Sequence, residues 1–285
     1  MAPSVKGLWA IVFCATLWST SGLFIKIIDW NPMIIAGARS FIAFLFILAV
    51  RRLHPIPPPP RGTRAFPMFM AAFFYAATMI LFVIANKMTA SANVILLQYI
   101  APVWAAFLGW IIAKERPRSE HWVAMGAIAV GLYVFFKNGL SGGSNLGNGI
   151  AVISGATFGA YSVFMRLQKK GRPEDSVLLA HLFTALICFP FLFVVPPIPT
   201  APSIGAILAL GILQIGVASL LFAYAIRRIT AVQAMLTAVV EPVLNPLWVF
   251  VVTGEKPSPS ALLGGSIILA AVIASSIIGA RRQAA

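Results

Sequence analysis

Two stretches of the chain share the same arrangement of residues. Residues 102–117 read PVWAAFLGWIIAKERP, and residues 242–257 read PVLNPLWVFVVTGEKP. In both stretches Pro-Val is followed, at one common spacing, by Glu, then a basic residue, then Pro. The two copies lie 140 residues apart in a chain of 285 residues. This separation predicts that the protein consists of two structurally similar halves.

Weaker matches at the same separation continue the repeat toward the start of each half. Trp18, for example, corresponds to Phe158. A stretch rich in Gly, Ser and Asn separates the two copies and is interpreted as a linker. We therefore expect a first repeat at 7–137, a linker at 138–147 and a second repeat at 148–280.

The composition is typical of a protein embedded in lipid. Hydrophobic residues make up 60% of the chain and charged residues only 10%, whereas soluble domains carry roughly 25% charged residues. A soluble fold of this length has too little interior to hide so much apolar surface. A transmembrane helix needs about 20 mostly apolar residues. Ten runs meet this requirement, near 7–28, 32–50, 66–86, 91–113, 120–137, 148–166, 176–195, 202–226, 231–252 and 260–280.

These runs predict an all-α integral membrane protein with ten transmembrane helices. The net charge of +14 does not indicate nucleic-acid binding, because Lys and Arg lie in short clusters between the apolar runs. If the N-terminus is cytoplasmic, 16 of the 21 Lys and Arg residues fall on cytoplasmic segments, four fall outside and Arg39 lies within a run. This bias follows the positive-inside rule. We expect a multi-pass inner-membrane protein with both termini in the cytoplasm.

Each predicted repeat holds five helices. Because five is odd, the second repeat crosses the bilayer in the opposite sense to the first. Inverted repeats of this kind recur in secondary transporters, whose substrate sites lie near the midplane between the repeats. Two similar halves that exchange conformations would open such a site to each side of the membrane in turn.

The first predicted helix contains the segment ATLWST at residues 15–20. Together with the two matched copies of the Pro-Val and Glu-basic-Pro pattern, this segment makes the chain resemble the drug/metabolite transporter superfamily, and within it the EamA-type exporters. The resemblance extends over roughly 7–280. It implies export of a small molecule, chiefly aromatic or neutral amino acids, with organic cations such as paraquat as the alternative. We expect the small-molecule substrate and the lipid bilayer to be the protein's partners, and we expect no cofactor, no nucleic acid and no obligate protein partner.

Glu241 is the one acidic residue that the ten runs place near mid-membrane. An ionised carboxyl costs about 2.5–3.5 kcal/mol to insert there, so such groups usually face the bundle interior and serve ions or substrates. Its repeat equivalent is Ala101, so the symmetry of the fold does not require an acid. Glu241 could carry a proton, hold a substrate amino group, or form an ion pair with Arg39 that only stabilises packing. Arg39 could instead bind a carboxylate or extend to the membrane surface.

Further candidates for substrate contact are polar and aromatic residues inside the runs. One side of the ninth run carries a polar group at every fourth residue: Gln233, Thr237, Glu241 and Asn245. This spacing favours either a cavity wall or a helix contact. An aromatic wall would suit flat or apolar side chains, with lipid contact as the alternative; its candidates are Trp18, Tyr99, Trp104, Phe158 and Tyr161. The remaining polar candidates are Tyr75, Thr78, Gln98 and Gln214.

Pro102 and Pro242 fall inside the fourth and ninth runs. A proline has no N–H for the carbonyl group four residues earlier. The carbonyls concerned belong to Gln98 and Ala238. A freed carbonyl can contact a substrate and a helix can bend there, so we interpret both prolines as candidate hinges.

Two other classes of protein compete with a transporter. An intramembrane enzyme needs a nucleophile with a base, a metal site or paired carboxylates, and the sequence contains no HExxH, GxSxG or phosphate-binding glycine loop. Cys14 and Cys188 lie in apolar runs without metal-ligand spacing. A channel often builds its pore across subunits, whereas a full internal repeat favours alternating access within one chain.

Overall fold

Helices follow one another without an intervening strand in the residues that the structure describes. This computed structural model describes residues 3–55, 65–89, 91–136, 144–244, 248 and 259–284. The first half contains α1 (Pro3–Trp18), α2 (Ser21–Ile27), α3 (Pro32–Leu53), α4 (Ala65–Met88), α5 (Ser91–Gln98), α6 (Ala101–Ile111) and α7 (Ser119–Phe136). The second half contains α8 (Asn145–Leu167), α9 (Pro173–Cys188), α10 (Phe191–Val194), α11 (Ala201–Ala209), a π-helical segment (Leu210–Val217), α12 (Ala218–Ile226), α13 (Ala231–Ala238) and α14 (Pro259–Ala284).

Many of these helices are suited to a bilayer. Judged by length and composition alone, seven stretches in the described part of the chain could cross a membrane: Ser4–Ile25, Pro32–Leu53, Ala65–Met88, Asn93–Ile111, Asn145–Leu167, Pro173–Val194 and Ala201–Ile226. Three shorter apolar helices are Ser119–Phe135, Ala231–Leu244 and Leu262–Ser275. All overlap runs predicted from the sequence, which confirms an all-helical membrane protein. A total of ten spans and the inverted arrangement remain predictions.

The fourth and ninth predicted runs are broken at equivalent positions. α5 ends at Gln98 and α6 begins at Ala101, whereas α13 ends at Ala238 and helix resumes at 240–244. Each break lies just before a proline, and the two breaks are 140 residues apart. A proline ring collides with the carbonyl four residues earlier and cannot donate a hydrogen bond to it. The repeated prolines therefore account for the repeated breaks.

The first run is also broken, and the eighth is locally widened. α1 ends at Trp18 and α2 begins at Ser21. The π-helical segment Leu210–Val217 interrupts the eighth run, and such segments often occur at functional sites. Its Gly211 lies so close to α3 that an added Cβ would be 3.0 Å from the Arg39 carbonyl oxygen. This close approach brings the start of the π-helical segment beside Arg39.

α8 packs against the break between α5 and α6 through two glycines. A Cβ added at Gly155 would lie 2.6 Å from the Gln98 carbonyl oxygen, and one at Gly159 would lie 2.7 Å from the Ala101 carbonyl oxygen. This four-residue spacing of glycines is typical of membrane helices in close contact. Any side chain at either position would therefore displace the backbone of the broken run.

The two halves are interleaved rather than set side by side. α4 packs mainly on α8, α3 on α9, α1 on α12 and α7 on α14, and each of these pairs joins the two halves. Large apolar side chains such as Trp9, Phe41 and Trp110 are exposed on the outer surface, which is expected of a surface that contacts lipid. Polar side chains such as Arg39 and Glu241 are buried between the halves instead.

Candidate functional site

A small cavity lies between the halves and is bounded by side chains from both. Among the described residues, eight of the sequence candidates line it: Trp18, Arg39, Tyr75, Thr78, Gln98, Phe158, Gln214 and Glu241. Tyr75, Phe158 and Gln214 lie near the middle of their spans. The cavity leaves about 30 Å³ for the centres of water molecules, which is room for about two waters. The cavity is therefore too small in this structure to hold an organic metabolite.

Arg39 is buried in the cavity wall. It is only 1% exposed, so it does not extend to the membrane surface. Its Nη1 donates to Gln214 Oε1 at 3.4 Å, and its Nη2 donates to the Met79 carbonyl oxygen at 3.1 Å. Its Nε has no partner among the residues that the structure describes. The guanidinium therefore has unused capacity to donate hydrogen bonds.

Glu241 is buried too, and its hydrogen-bond partner is Tyr99. The Tyr99 hydroxyl lies 3.0 Å from Glu241 Oε2 and 2.9 Å from the Ala238 carbonyl oxygen. That carbonyl is the one that Pro242 leaves without its usual helical donor. The Tyr99 ring itself lies outside the cavity wall, in an apolar pocket. Within the described parts of the chain, no basic side chain is at ion-pair distance from Glu241.

Aromatic rings form one side of the cavity. The Trp18 and Phe158 rings meet edge to face, with centroids 5.3 Å apart and planes at 69°. Phe222 lies behind them, 5.8 Å from Trp18 between ring centroids. Tyr161 also lies behind the wall, where it stacks on Tyr75 at 4.2 Å. Trp18 and Phe158, which occupy matched positions in the two repeats, thus meet at the cavity. Their edge-to-face arrangement is one of the geometries that aromatic pairs prefer.

The polar series predicted along the ninth run does not reach the cavity as one set. Gln233 forms a capping box with Thr230 at the start of α13: its backbone N–H donates to the Thr230 hydroxyl, and its Oε1 accepts from the Thr230 backbone N–H. Thr237 is buried on the same helix. Of the three members of this series that the structure describes, only Glu241 lines the cavity, because the helix break separates it from the other two. Asn245 lies outside the described residues.

Among the described residues, three further ones line the cavity that the sequence did not single out. They are Ser21, Met79 and Phe82. Met79 and Phe82 are apolar residues in an apolar run, so nothing in their type distinguishes them from lipid-facing neighbours. Ser21 directly follows the ATLWST segment, and this position could have identified it as a lining residue. Its buried hydroxyl has no partner in the described structure.

Ion pairs join the halves at the end that the basic-residue count assigns to the cytoplasm. Glu115 Oε1 accepts from Arg166 Nε at 2.9 Å and from Lys169 Nζ at 3.2 Å. Arg51 Nη1 lies 2.7 Å from Asp175 Oδ1. Partly exposed pairs contribute little stability individually. They can therefore close this end of the molecule and still be broken at low energetic cost.

The chemistry available in this region is ionic, polar and aromatic. In the part of the chain that the structure describes, no group of three or more His, Cys, Asp or Glu side chains could hold a metal ion. Cys14 and Cys188 are free and buried, and the Cys14 thiol donates to the Ala218 carbonyl oxygen at 3.2 Å. Among the described lining residues, the ionisable groups suited to binding a charged ligand are therefore Arg39 and Glu241.

Known proteins are similar to this chain over nearly its full length. The model of the EamA-like transporter family matches twice, at residues 5–137 and 145–277. The uncharacterized transporter YwfM of Bacillus subtilis (strain 168) is 26% identical and aligns over 96% of this chain and 95% of its own length. An uncharacterized transporter of Archaeoglobus fulgidus is 26% identical over 93% of this chain and 94% of its own length.

The likeness extends to three dimensions. One solved crystal structure, 19% identical in sequence, superposes with a TM-score of 0.79 over 99% of both chains. At that level of identity the superposition shows a shared fold and nothing more. The two family matches, by contrast, cover almost the entire sequence. This chain therefore belongs to the EamA-like transporter family.

Proposed function

We propose that this protein is a secondary transporter that exports neutral and aromatic amino acids by alternating access through the cavity between its halves. One observation carries the proposal. A guanidinium from the first half and a carboxyl group from the second line the same buried cavity beside aromatic rings. An amino-acid zwitterion presents the complementary carboxylate, ammonium and side chain.

Arg39 is the proposed partner of the substrate carboxylate. Arginine offers a planar set of donors that matches a carboxylate and keeps its charge at all accessible pH values. The Nε of Arg39 is unpaired in the described structure. Gln214, which accepts from Arg39 Nη1, can reorient when a substrate binds. A buried donor without a partner is energetically costly, so a bound carboxylate would remove that cost.

Glu241 is the proposed partner of the substrate ammonium group. It has no basic side chain at ion-pair distance among the described residues, and a carboxyl at this depth is costly unless something compensates for it. The Trp18 and Phe158 rings offer apolar area for the substrate side chain. Thr78 and Gln98 add hydroxyl and amide groups to the same wall.

Binding requires this cavity to widen. The space available holds about two water molecules, and an amino acid is larger. We propose that Pro102 and Pro242 act as hinges for this opening, since each lies just after a helix break. The ion pairs of Glu115 and Arg51 would then separate on the cytoplasmic side.

The proposal includes an architecture. Ten spans would form two inverted repeats at 7–137 and 148–280, joined by the linker 138–147, in an inner membrane with cytoplasmic termini. The helix breaks 140 residues apart support the repeat. The resemblance to the aromatic amino-acid exporter YddG, carried by Trp-Ser-Thr at 18–20 in the first span, supports the substrate class.

A second candidate substrate class is the organic cations. Glu241 together with the faces of Trp18 and Phe158 would suit a flat cation. Arg39 opposes this alternative, because it places a permanent positive charge in the same cavity. The two classes therefore make opposite demands on Arg39.

Counterflow in liposomes distinguishes these functions. We expect liposomes preloaded with neutral or aromatic amino acids to accumulate labelled L-phenylalanine against its gradient, with saturation, at both acidic and neutral pH. Paraquat should neither exchange nor compete. Liposomes without protein are the control.

Three outcomes would contradict the proposal in different ways. Exchange of paraquat without exchange of any amino acid would show that the cavity binds organic cations. Flux that rises linearly to high concentration would indicate a channel. Failure of every amino acid to move would remove the substrate assignment and leave the fold and family intact.

A further inference from the structure

The hydroxyl group of Tyr99 connects the two helix breaks. Tyr99 lies at the break between α5 and α6, and its hydroxyl is 2.9 Å from the Ala238 carbonyl oxygen at the break after α13. The same hydroxyl is 3.0 Å from Glu241 Oε2. One side chain of the first half therefore touches both the buried acid and the interrupted backbone of the second half.

This arrangement makes the hydrogen bonds depend on the charge of Glu241. A phenol has one proton to donate, although its oxygen can also accept. If Glu241 is protonated, its O–H can donate to Tyr99 while Tyr99 donates to the Ala238 carbonyl. If Glu241 is ionised it can only accept, and a carboxylate is the stronger acceptor. The Ala238 carbonyl then loses this donor, and Pro242 cannot replace it.

We propose that Tyr99 is a positioning residue that transmits the charge state of Glu241 to the break in the ninth run. Loss of the proton from Glu241 loosens the break, and its return tightens it. The role of this switch in transport rests on the proposed function. The hydrogen-bond exchange itself requires neither substrate nor flux.

Other ionisable groups near Glu241 do not account for such a response. Arg39 of α3 lines the same cavity and keeps its charge. Tyr75 of α4 lines it too, and Cys14 of α1 interacts electrostatically with Glu241, but ordinary phenols and thiols titrate at about 10 and 8.5. His181 of α9 lies outside the wall, with its ring 5.6 Å from that of Tyr75. The described lining residues from the other elements are uncharged.

Hydrogen exchange of the backbone measures the switch directly. The full-length protein in lipid nanodiscs is followed by mass spectrometry over a pH series, with rates corrected for intrinsic exchange. We expect protection of the amides within 240–244 to fall by about tenfold as Glu241 loses its proton. Glu241→Gln should stay protected at every pH, because its side-chain N–H can donate to Tyr99 permanently. Tyr99→Phe should be less protected and independent of pH.

Two control variants separate this switch from general loosening. Tyr133→Phe removes a hydroxyl from an exposed tyrosine of α7, and His181→Gln removes the imidazole that lies beside Tyr75; both should follow the wild type. The proposal is overturned if Tyr99→Phe keeps the wild-type pH profile, if Glu241→Gln is unprotected, or if His181→Gln abolishes the response. A pH response without amino-acid counterflow would retain the switch and reject the proposed function.

Discussion

Replacing Arg39 with Gln should weaken the apparent affinity for L-phenylalanine by about 10- to 100-fold, with a much smaller change in maximal rate. Hydrogen bonds to charged groups contribute about 1.5–3 kcal/mol, and each 1.4 kcal/mol corresponds to about tenfold in affinity. The variant loses the carboxylate partner but keeps a polar amide in the cavity wall. The concentration dependence of counterflow measures the effect.

Substrate analogues identify which contact Arg39 makes. Phenylalaninamide lacks the carboxylate, so it should bind the wild type poorly and should be indifferent to Arg39→Gln. Arg39→Lys should also bind phenylalanine weakly, because lysine cannot form the same planar pair. Arg52→Gln is the matched control, since Arg52 is exposed at the end of the same helix. If Arg39→Gln discriminated between phenylalanine and its amide as strongly as the wild type does, Arg39 would not hold the carboxylate.

Replacing Glu241 with Gln should lower counterflow of L-phenylalanine by about tenfold or more and leave a remaining rate that does not vary with pH. The substrate ammonium would lose its ionic partner inside a medium where charge interactions are strong. Gln has nearly the same shape as Glu and can retain a hydrogen bond with Tyr99, so the change isolates the charge. Initial rates over a pH series provide the measurement.

A substrate analogue without the ammonium group tests the contact proposed for Glu241. The compound 3-phenylpropionate lacks the ammonium group, so its weak competition with phenylalanine should be unchanged in Glu241→Gln. Asp29→Asn removes one negative charge from an exposed loop residue and should behave as wild type. Unaltered transport by Glu241→Gln at every pH would exclude the acid from the mechanism.

The sequence predicts the membrane fold and most of the cavity wall for one physical reason. Polar residues are costly in lipid, so Arg39 and Glu241 had to turn inward from apolar runs. The proline pattern at a separation of 140 residues likewise anticipated the two breaks. Gln233 shows where this reasoning stops: its spacing suggested the cavity, although Thr230 three residues earlier is the sequence signature of a capping box.

Sequence patterns did not predict the contacts between distant parts of the chain. Arg39 bonds to Gln214 and Met79 on other helices, and nothing in its own run indicates those partners. An ion pair between Arg39 and Glu241 was equally plausible from the sequence, but the structure shows none between them. Packing between halves, not local propensity, decides such pairings.

The central claim is that the cavity between the halves faces each side of the membrane in turn. Ser21→Cys places a thiol in the cavity wall with little change of volume. The two native cysteines are first removed by Cys14→Ser and Cys188→Ala, so that this thiol is the one labelled. In oriented proteoliposomes, an impermeant maleimide added to either side should label this thiol, and L-phenylalanine should slow both reactions. Labelling from one side only under every condition, or labelling that phenylalanine does not affect, would contradict the account.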